Sequence, residues 1–194
     1  MRCRGGRGMI AFGLPDVAGY RVRRLGRQDA PLIDALYGRC ADFVRLAEGR
    51  DPAEGDGLAL LRSRPPRVPI AHKQLFGLFE EEDGDEDCDG ALTGLVDLVG
   101  RYPTPLTWYV GLLLIDPERR GRGIGTALCV AIRDLVEREE GRFIRLAVQS
   151  QNGAALRFWR RQGFAVIGTA EQRLGEVPIL VYRLELALAE APSA

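Results

Sequence analysis

Residues 112–128 read LLLIDPERRGRGIGTAL, and this segment carries the clearest structural pattern in the chain. It begins with four apolar residues, and a short apolar run bounded by a turn is typical of a strand buried on both faces. Asp116-Pro117 ends this run, because proline disfavours helix in the residue before it and cannot donate to a sheet. From Thr126 onward apolar residues recur at helical spacing, so the stretch predicts a strand, a glycine-rich turn and a helix.

A turn of this composition at the start of a helix favours an anionic ligand. The first N–H groups of a helix lack intrahelical partners, and the helix dipole favours negative charge at that end. Gly121, Gly123 and Gly125 carry no Cβ that would hold a phosphate away from the backbone. The neighbouring arginines add charge and forked donors. We therefore expect this turn to bind a pyrophosphate-bearing ligand, with a plain basic turn as the alternative.

Two common phosphate-binding motifs do not fit the turn. A P-loop requires a lysine after its last glycine, whereas Gly125 is followed by Thr126. A dinucleotide fingerprint requires G-x-G-x-x-G, and here the glycines occupy alternate positions. Residues 120–125, RGRGIG, instead resemble the R/Q-x-x-G-x-G/A signature of the GNAT superfamily of N-acetyltransferases, in which it binds the pyrophosphate of acetyl-coenzyme A (acetyl-CoA).

A second segment carries the same resemblance. Residues 152–164, NGAALRFWRRQGF, resemble the N-x-x-A-x-x-x-Y-x-x-x-G-F segment of the family. The residues that match in register are Asn152, Ala155, Gly163 and Phe164. One predicted helix and one predicted strand separate the two motifs, as in the family. The resemblance implies that the strand before the glycine turn diverges from the next strand and pairs its backbone with the pantetheine arm.

The resemblance also implies the residues that bind acetyl-CoA. Residues 113–115 would offer main-chain hydrogen bonds, and residues 120–126 would hold the pyrophosphate. Asn152 would contact the cofactor and Phe158 would pack against it, although core packing is the alternative for Phe158. The expected set is Leu113, Leu114, Ile115, Arg120, Gly121, Arg122, Gly123, Ile124, Gly125, Thr126, Asn152 and Phe158.

The positions at which relatives carry a catalytic acid or base hold other residues here. Trp159 stands where many relatives have a tyrosine acid, and an indole N–H is not usefully acidic. Ala147 stands at one usual position of a base glutamate, and Trp108 and Tyr109 stand at another. Direct attack by a well-positioned amine or a water wire would remove the need for these groups. Otherwise a residue elsewhere must serve.

Asp97 and Tyr109 are our candidate catalytic residues, with Tyr102 as a further candidate. Asp97 lies in an otherwise apolar run, GLVDLV, and burial against an acceptor cleft would raise its pKa and make it a base. A solvated aspartate at an edge is the alternative for Asp97, and core packing is the alternative for Tyr109. We expect acetyl transfer to a primary amine of an unidentified acceptor, either a small molecule or a protein amine. The alternative is a CoA-binding sensor or interaction protein with little turnover.

Periodicity and turn signals along the chain predict an α/β fold of mixed α+β type. The order β, α, α, β, β, β, α, β, α, β, β is also the GNAT order, with a mostly antiparallel mixed sheet of about seven strands and helices on both faces. We expect strands at residues 20–25, 75–80, 91–100, 107–115, 143–148, 164–169 and 177–186, and helices at 30–48, 57–62 and 126–139 and after Asn152. The acidic run at 80–89 is expected to be a solvated hairpin loop rather than a calcium loop.

Composition limits the remaining possibilities. Residues 18–188 are expected to form one N-acetyltransferase domain, after a disordered basic leader at 1–17 and before a frayed tail at 189–194, and Met9 is an alternative start. Lys+Arg and Asp+Glu both number 27, which argues against nucleic-acid binding, even through the arginines of the leader. The scattered cysteines and the single histidine predict no metal site and a reducing cytoplasm, and the high content of Arg, Gly and Ala is typical of a bacterial source. No apolar stretch is long enough for a membrane span. Homodimerisation through the C-terminal strands, common in relatives, stays open.

Overall fold

The computed structural model describes residues 13–80, 90–174 and 177–188, so most of the expected leader, the acidic loop and the tail lie outside the described residues. Within these ranges seven strands and five α-helices follow the predicted order, except that the first predicted helix is divided into two. They are β1 (Tyr20–Arg24), α1 (Ala30–Arg39), α2 (Ala41–Glu48), α3 (Asp56–Arg62), β2 (Lys73–Glu80), β3 (Leu92–Val99), β4 (Thr107–Ile115), α4 (Ile124–Arg138), β5 (Phe143–Gln149), α5 (Gly153–Arg161), β6 (Ala165–Leu174) and β7 (Val177–Ala187).

The strands form one mixed sheet in the order β1-β2-β3-β4-β5-β7-β6. All neighbouring strands are antiparallel except β4 and β5, which are parallel because α4 provides the crossover between them. The predicted fold class, a mostly antiparallel seven-stranded sheet, is therefore confirmed.

Apolar side chains pack on both faces of the sheet. On one face, residues of α1 and α2 such as Leu36 and Val44 pack against Leu95 and other residues of β2 and β3. On the other face, residues of α4 such as Ile132 pack against Val96 and its neighbours. Because successive residues of a strand point to opposite faces, β2 and β3 supply apolar side chains to both clusters.

Strand β4 is less buried than its apolar sequence predicted. It pairs with β5 only at its first three residues, as far as Tyr109, and then the two strands separate. Against β3 the register shifts, because Asp97 lies opposite Leu112 while Leu98 lies opposite Val110, which leaves Gly111 as the extra residue of a bulge. Gly111 is exposed and Leu112 and Leu113 are only half-buried. The prediction of burial on both faces is therefore wrong for this part of β4, whereas the expected divergence from β5 is present.

Two further predicted boundaries differ in the structure. The expected helix 30–48 is divided at Cys40, whose backbone (φ −98°, ψ 31°) leaves the helical region. Cys40 and Val44 are nevertheless both fully buried, so the apolar periodicity continues through the break and conceals it. Residues 13–17 of the expected leader are described, and Leu14 and Val17 are buried in the core. The packed part of the chain therefore includes residues that we had assigned to the leader.

Candidate functional site

The glycine-rich turn opens onto a cleft of about 710 Å³, which we call the turn cleft. The end of β4, the turn, the start of α4 and the start of α5 all contribute to its walls. Every residue that we expected to contact a cofactor lines this cleft except Arg122, which is exposed. The sequence reasoning missed the contribution of α2, which supplies Asp42, Phe43 and Leu46.

The glycines of the turn have two different roles. Gly121 (φ 78°) and Gly123 (φ 82°) adopt left-handed backbone conformations that side chains disfavour, and Gly123 is the residue that precedes α4. Gly125 is instead favoured by packing, since a Cβ at this position would lie 3.1 Å from Cζ of Phe158, a tighter contact than most Cβ atoms make. The absent side chain of Gly125 therefore admits the Phe158 ring, a role that we had not expected.

The arginines beside these glycines are held by acidic residues of distant elements. Arg120 donates from Nε to the backbone oxygen of Ile115 at 3.0 Å and from Nη1 to Oδ2 of Asp42 at 2.7 Å. The hydrogen bond from Arg120 holds the pKa of the Asp42 carboxyl below its usual value. Arg119 makes a two-pronged ion pair with Glu80, at 2.6 and 2.9 Å. These pairs fix the turn against α2 and β2.

The second motif forms the opposite wall of the turn cleft. Asn152 caps α5, because its side-chain oxygen accepts a hydrogen bond from the backbone N–H of Ala155 at 3.0 Å. Phe158 is half-buried and meets Trp159 edge to face, with ring centroids 5.0 Å apart. Trp159 in turn packs against Phe164 at 5.1 Å. Phe158 thus contacts both the core and the cleft, so the two alternatives stated for it do not exclude one another.

Two smaller cavities continue from the turn cleft. The first, of about 290 Å³, lies where β4 and β5 separate, and we call it the split cavity. The second, of about 280 Å³, lies between β3, β4 and the first three helices, and we call it the Asp97 cavity. Phe43 lines all three spaces. Tyr109 and Gly111 line both smaller cavities, so the three spaces adjoin one another along β4.

Asp97 is buried rather than solvated at an edge, so that alternative is wrong. Its carboxylate and the ammonium of Lys73 form an ion pair with 2.6 Å between Oδ2 and Nζ, and both residues are about 95% buried. The other oxygen, Oδ1, is also buried and has no hydrogen-bond partner among the described residues. Burial raises the pKa of Asp97, and the Lys73 ammonium opposes this rise.

Tyr109 is half-buried beside Tyr102, with ring centroids 5.7 Å apart in an edge-to-face arrangement. Burial raises the pKa of Tyr109, so its hydroxyl stays protonated at neutral pH. Of the positions where relatives carry an acid or a base, Trp159 and Ala147 line the split cavity, and Trp108 is buried in the core. Tyr109 is the ionisable residue among the described residues that line the split cavity, and Asp97 lines the adjoining Asp97 cavity.

Residues 13–80, 90–174 and 177–188 contain no cluster of three or more His, Cys, Asp or Glu side chains arranged to hold a metal ion. Within the same ranges, no helix is both long and apolar enough to cross a membrane.

Comparison with known proteins agrees with this arrangement. The model of the acetyltransferase (GNAT) family matches residues 60–164, which include both motifs. N-alpha-acetyltransferase RimI of Mycobacterium tuberculosis is 36% identical over 81 residues, which are 41% of this chain and 49% of that protein. Mycothiol acetyltransferase of Mycobacterium sp. strain JLS is 30% identical over 170 residues, covering 75% of this chain and 53% of the relative. This chain therefore spans about half the length of these curated relatives.

Solved structures share the fold at low sequence identity. Spermidine N-acetyltransferase from Vibrio cholerae, solved in complex with CoA and spermine, has a TM-score of 0.65 at 20% identity. The similarity covers 88% of this chain and 96% of that one, so it extends over nearly the whole sheet and its helices. Since the family model matches more than half of the 194 residues, this chain belongs to the GNAT family of acetyltransferases.

Proposed function

We propose that this protein transfers the acetyl group of acetyl-CoA to a primary amine. The observation that carries the proposal is the continuity of three spaces along β4, because the turn cleft, the split cavity and the Asp97 cavity share lining residues. A cofactor in the turn cleft and an acceptor in the Asp97 cavity would then meet at the separation of β4 and β5. Family membership supports the same reaction class.

The residues of the turn cleft suit the phosphate end of acetyl-CoA. The first N–H groups of α4 face the turn, and left-handed Gly121 and Gly123 leave open space where side chains would stand. Arg120 offers a guanidinium beside them, which would exchange its exposed partner Asp42 for a phosphate. Arg122 is exposed and adds positive charge without lining the cleft. This set of donors and charges fits a pyrophosphate.

The residues of β4 suit the pantetheine arm. Because β5 pairs with β4 only as far as Tyr109, the backbone groups on that side of residues 111–113 have no strand partner. Unpaired backbone groups at a strand edge are available to an extended ligand, which adds to the sheet by hydrogen bonds. Phe158 and Asn152 line the same cleft opposite Leu113 and would pack against the arm.

The chemistry requires that the amine nitrogen lose a proton and that the departing sulfur gain one. When bound, acetyl-CoA supplies a thioester, whose C–S bond breaks as the amine nitrogen bonds to the acetyl carbon and the sulfur leaves with the electron pair. Asp97 is our candidate to accept a proton from the amine, because Asp97 lines the Asp97 cavity and one of its carboxylate oxygens has no hydrogen-bond partner among the described residues. Tyr109 is our candidate to give a proton to the sulfur, because it lines both smaller cavities.

Amine-dependent release of free thiol from acetyl-CoA tests the proposal. We expect the full chain to release CoA thiol faster with primary amines than with the same compounds dimethylated on nitrogen, which cannot form a stable amide. A second candidate, a CoA-binding protein with little turnover, is favoured by Trp159 and Ala147 at positions where relatives carry proton-transfer groups. Binding of acetyl-CoA without thiol release across a broad amine panel would favour that second candidate.

A further inference from the structure

We infer that the Asp97 cavity receives the ammonium group of a small primary amine with an apolar stem, and that Lys73 is the positioning residue for Asp97. This inference rests on the proposed function and names its acceptor class. It follows from the free carboxylate oxygen of Asp97, the apolar lining of the cavity and the location of the cavity on β4.

The two carboxylate oxygens of Asp97 differ in their hydrogen-bond partners. Lys73 occupies Oδ2 at 2.6 Å, and Oδ1 is buried without a donor among the residues that the structure describes. A buried carboxylate oxygen without a donor is unfavourable, so a ligand N–H group at this position would satisfy it. An ammonium is the best match, because it adds charge to the hydrogen bond. The Asp97 side chain is only 7% exposed, so the bond would form in a largely water-excluded environment.

The rest of the cavity is mainly apolar. Its walls include Tyr37, Phe43, Ala47, Leu60, Val99 and Leu112. Two charged residues also line it, and both are engaged elsewhere. Glu48 pairs with Arg50 at 2.5 Å, and Arg64 donates from Nε to the Val68 backbone oxygen at 3.0 Å. One free anionic oxygen within apolar walls therefore favours a single ammonium on an uncharged stem over a diamine or an amino acid.

The volume of the Asp97 cavity limits the size of the acceptor that it can hold. At about 280 Å³ it lies just below the range of about 300–1,000 Å³ that is typical of small-molecule sites. The cavity therefore suits a compact amine. A folded protein would have to insert a side chain or its amino terminus. We accordingly infer a small-molecule acceptor and treat a peptide amine as the outcome that would overturn the inference.

The position of Asp97 on the sheet places the ammonium near the bulge of β4, where β4 separates from β5. A Cβ at Gly111 would lie 2.7 Å from Oδ2 of Asp97, so glycine at the bulge is what lets the carboxylate reach β4. Gly111 also lines the split cavity, which shares Leu113 and Asn152 with the turn cleft. An amine bound to Asp97 would therefore stand beside the separation of β4 and β5. There it transfers one proton to Asp97, and the freed lone pair forms the new C–N bond as the C–S bond of the thioester breaks. The nitrogen then loses a second proton, which balances the proton that the departing sulfur receives.

Lys73 favours the ionised carboxylate of Asp97, which is the form that binds an ammonium. Lys73 is the only lysine in the sequence and is 4% exposed, so its one ammonium is devoted to this buried pair. Burial raises the pKa of Asp97, and the ammonium opposes that rise, so replacing Lys73 by a neutral residue raises the pKa further. Other ionisable groups around Asp97 at the cavity are Tyr37 on α1, Glu48 on α2, Arg64 before β2 and Tyr109 on β4. Among these ionisable groups, it is Lys73 that donates a hydrogen bond to Asp97.

The test compares phenethylamine with 2-phenylethanol, a neutral analogue of similar shape. Calorimetric titrations of the full chain, saturated with CoA, give the affinity for each compound in the wild type, Asp97→Asn and Lys73→Met. Asp51→Asn is the matched control, because its carboxylate is exposed and pairs with Arg45 away from the Asp97 cavity. We expect the wild type and Asp51→Asn to prefer the amine by about 10- to 100-fold, as a hydrogen bond to a charged group allows, and Asp97→Asn to lose the preference.

The pH profile separates positioning by Lys73 from a merely structural role. We expect the wild type to lose its amine preference as falling pH protonates Asp97, a measurement that requires no variant. In Lys73→Met the preference should return only at higher pH than in the wild type, whereas Lys73→Arg should stay close to the wild type. A general loss of folding would instead weaken the amine, the alcohol and CoA together at every pH.

The failure of this inference is distinct from the failure of the proposed function. If the wild type binds no acetyl-CoA and acetylates no amine, the proposed function fails. If it binds acetyl-CoA and acetylates amines, but Asp97→Asn keeps the preference for phenethylamine over the alcohol, the inference is overturned. Acetylation of peptide amines alone, with no binding of phenethylamine by the wild type, overturns the inferred acceptor class as well.

Discussion

Arg120 of the glycine-rich turn and Asp42 of α2 form an ion pair, with 2.7 Å between Nη1 and Oδ2. The side chains are 42% and 61% exposed, so the pair contributes only about 0–1 kcal/mol. A ligand phosphate can therefore replace Asp42 at little cost. The pair holds the Arg120 guanidinium at the edge of the turn cleft.

Asp42→Asn should bind acetyl-CoA as tightly as the wild type or up to about fivefold more tightly, because Arg120 no longer has a competing carboxylate. The affinity is measured by calorimetry at low ionic strength. Asp34→Asn, in α1, serves as a control for the change in net charge, since Asp34 accepts hydrogen bonds from the backbone of Gly55 and Gly57 away from the turn. A clear loss of affinity in Asp42→Asn alone would show that Asp42 supports the ligand site.

Arg120→Gln should weaken acetyl-CoA binding by about 10- to 100-fold, because a charge-assisted hydrogen bond to phosphate is lost. Arg119→Gln is the comparison, since Arg119 is already satisfied by Glu80 through two hydrogen bonds. We expect Arg119→Gln to lower the affinity less than Arg120→Gln does. Equal losses in the two variants would indicate a general effect of positive charge rather than a contact by Arg120.

Gly125→Ala and Gly38→Ala should have opposite consequences, although both glycines lie in helices. A Cβ at Gly38 meets no atom within 4 Å, so alanine should stabilise α1 by about 0.5–1 kcal/mol through helix propensity. A Cβ at Gly125 would lie 3.1 Å from the Phe158 ring, which must shift into the turn cleft or against Trp159. We expect Gly125→Ala to show no comparable gain in melting temperature and to bind acetyl-CoA more weakly.

Asp116→Asn should reduce stability at neutral pH, and the difference from the wild type should shrink in acid. Burial alone would raise the pKa of Asp116, but the hydrogen bonds from Arg39 and from the backbone of Glu118 outweigh it and lower the pKa. A lowered carboxyl pKa contributes stability above about pH 4 that is lost as pH falls through the folded-state value. Urea unfolding of both proteins between neutral and acidic pH measures this. A constant difference across that range would contradict the assignment.

Local patterns in the sequence were sufficient to predict the strands, the glycine-rich turn and most of the helices. The apolar run of β4, the glycines at 121–125 and the helical spacing after Thr126 are all encoded within about one turn or strand length. The break at Cys40 was not predictable in this way, because the residues on both sides keep the same buried face. The extension of β6 to Leu174 was also missed, since residues 171–173 are polar and are held in the strand by pairing with the start of β7.

The parts of the site that the sequence did not predict depend on contacts between distant residues. Asp42 and Arg120 are 78 positions apart, and no local pattern connects α2 with the turn. Lys73 and Asp97 are 24 positions apart on adjacent strands, and their pairing requires the register of β2 against β3. The bulge at Gly111 is likewise visible only from the shift in pairing between β3 and β4. Asp97 could be chosen from its apolar surroundings, but its partner could not.

We predict that the turn cleft binds acetyl-CoA through its glycine-rich turn. Calorimetric titration of the wild type, Gly123→Ala and Gly123→Glu with acetyl-CoA tests this prediction. Both variants share the strain of a side chain at φ 82°, and only glutamate places a carboxylate beside the phosphates. We predict measurable binding by the wild type, weaker binding by Gly123→Ala and no measurable binding by Gly123→Glu. A folded wild type that does not bind acetyl-CoA, or equal binding by the two variants, would contradict the claim.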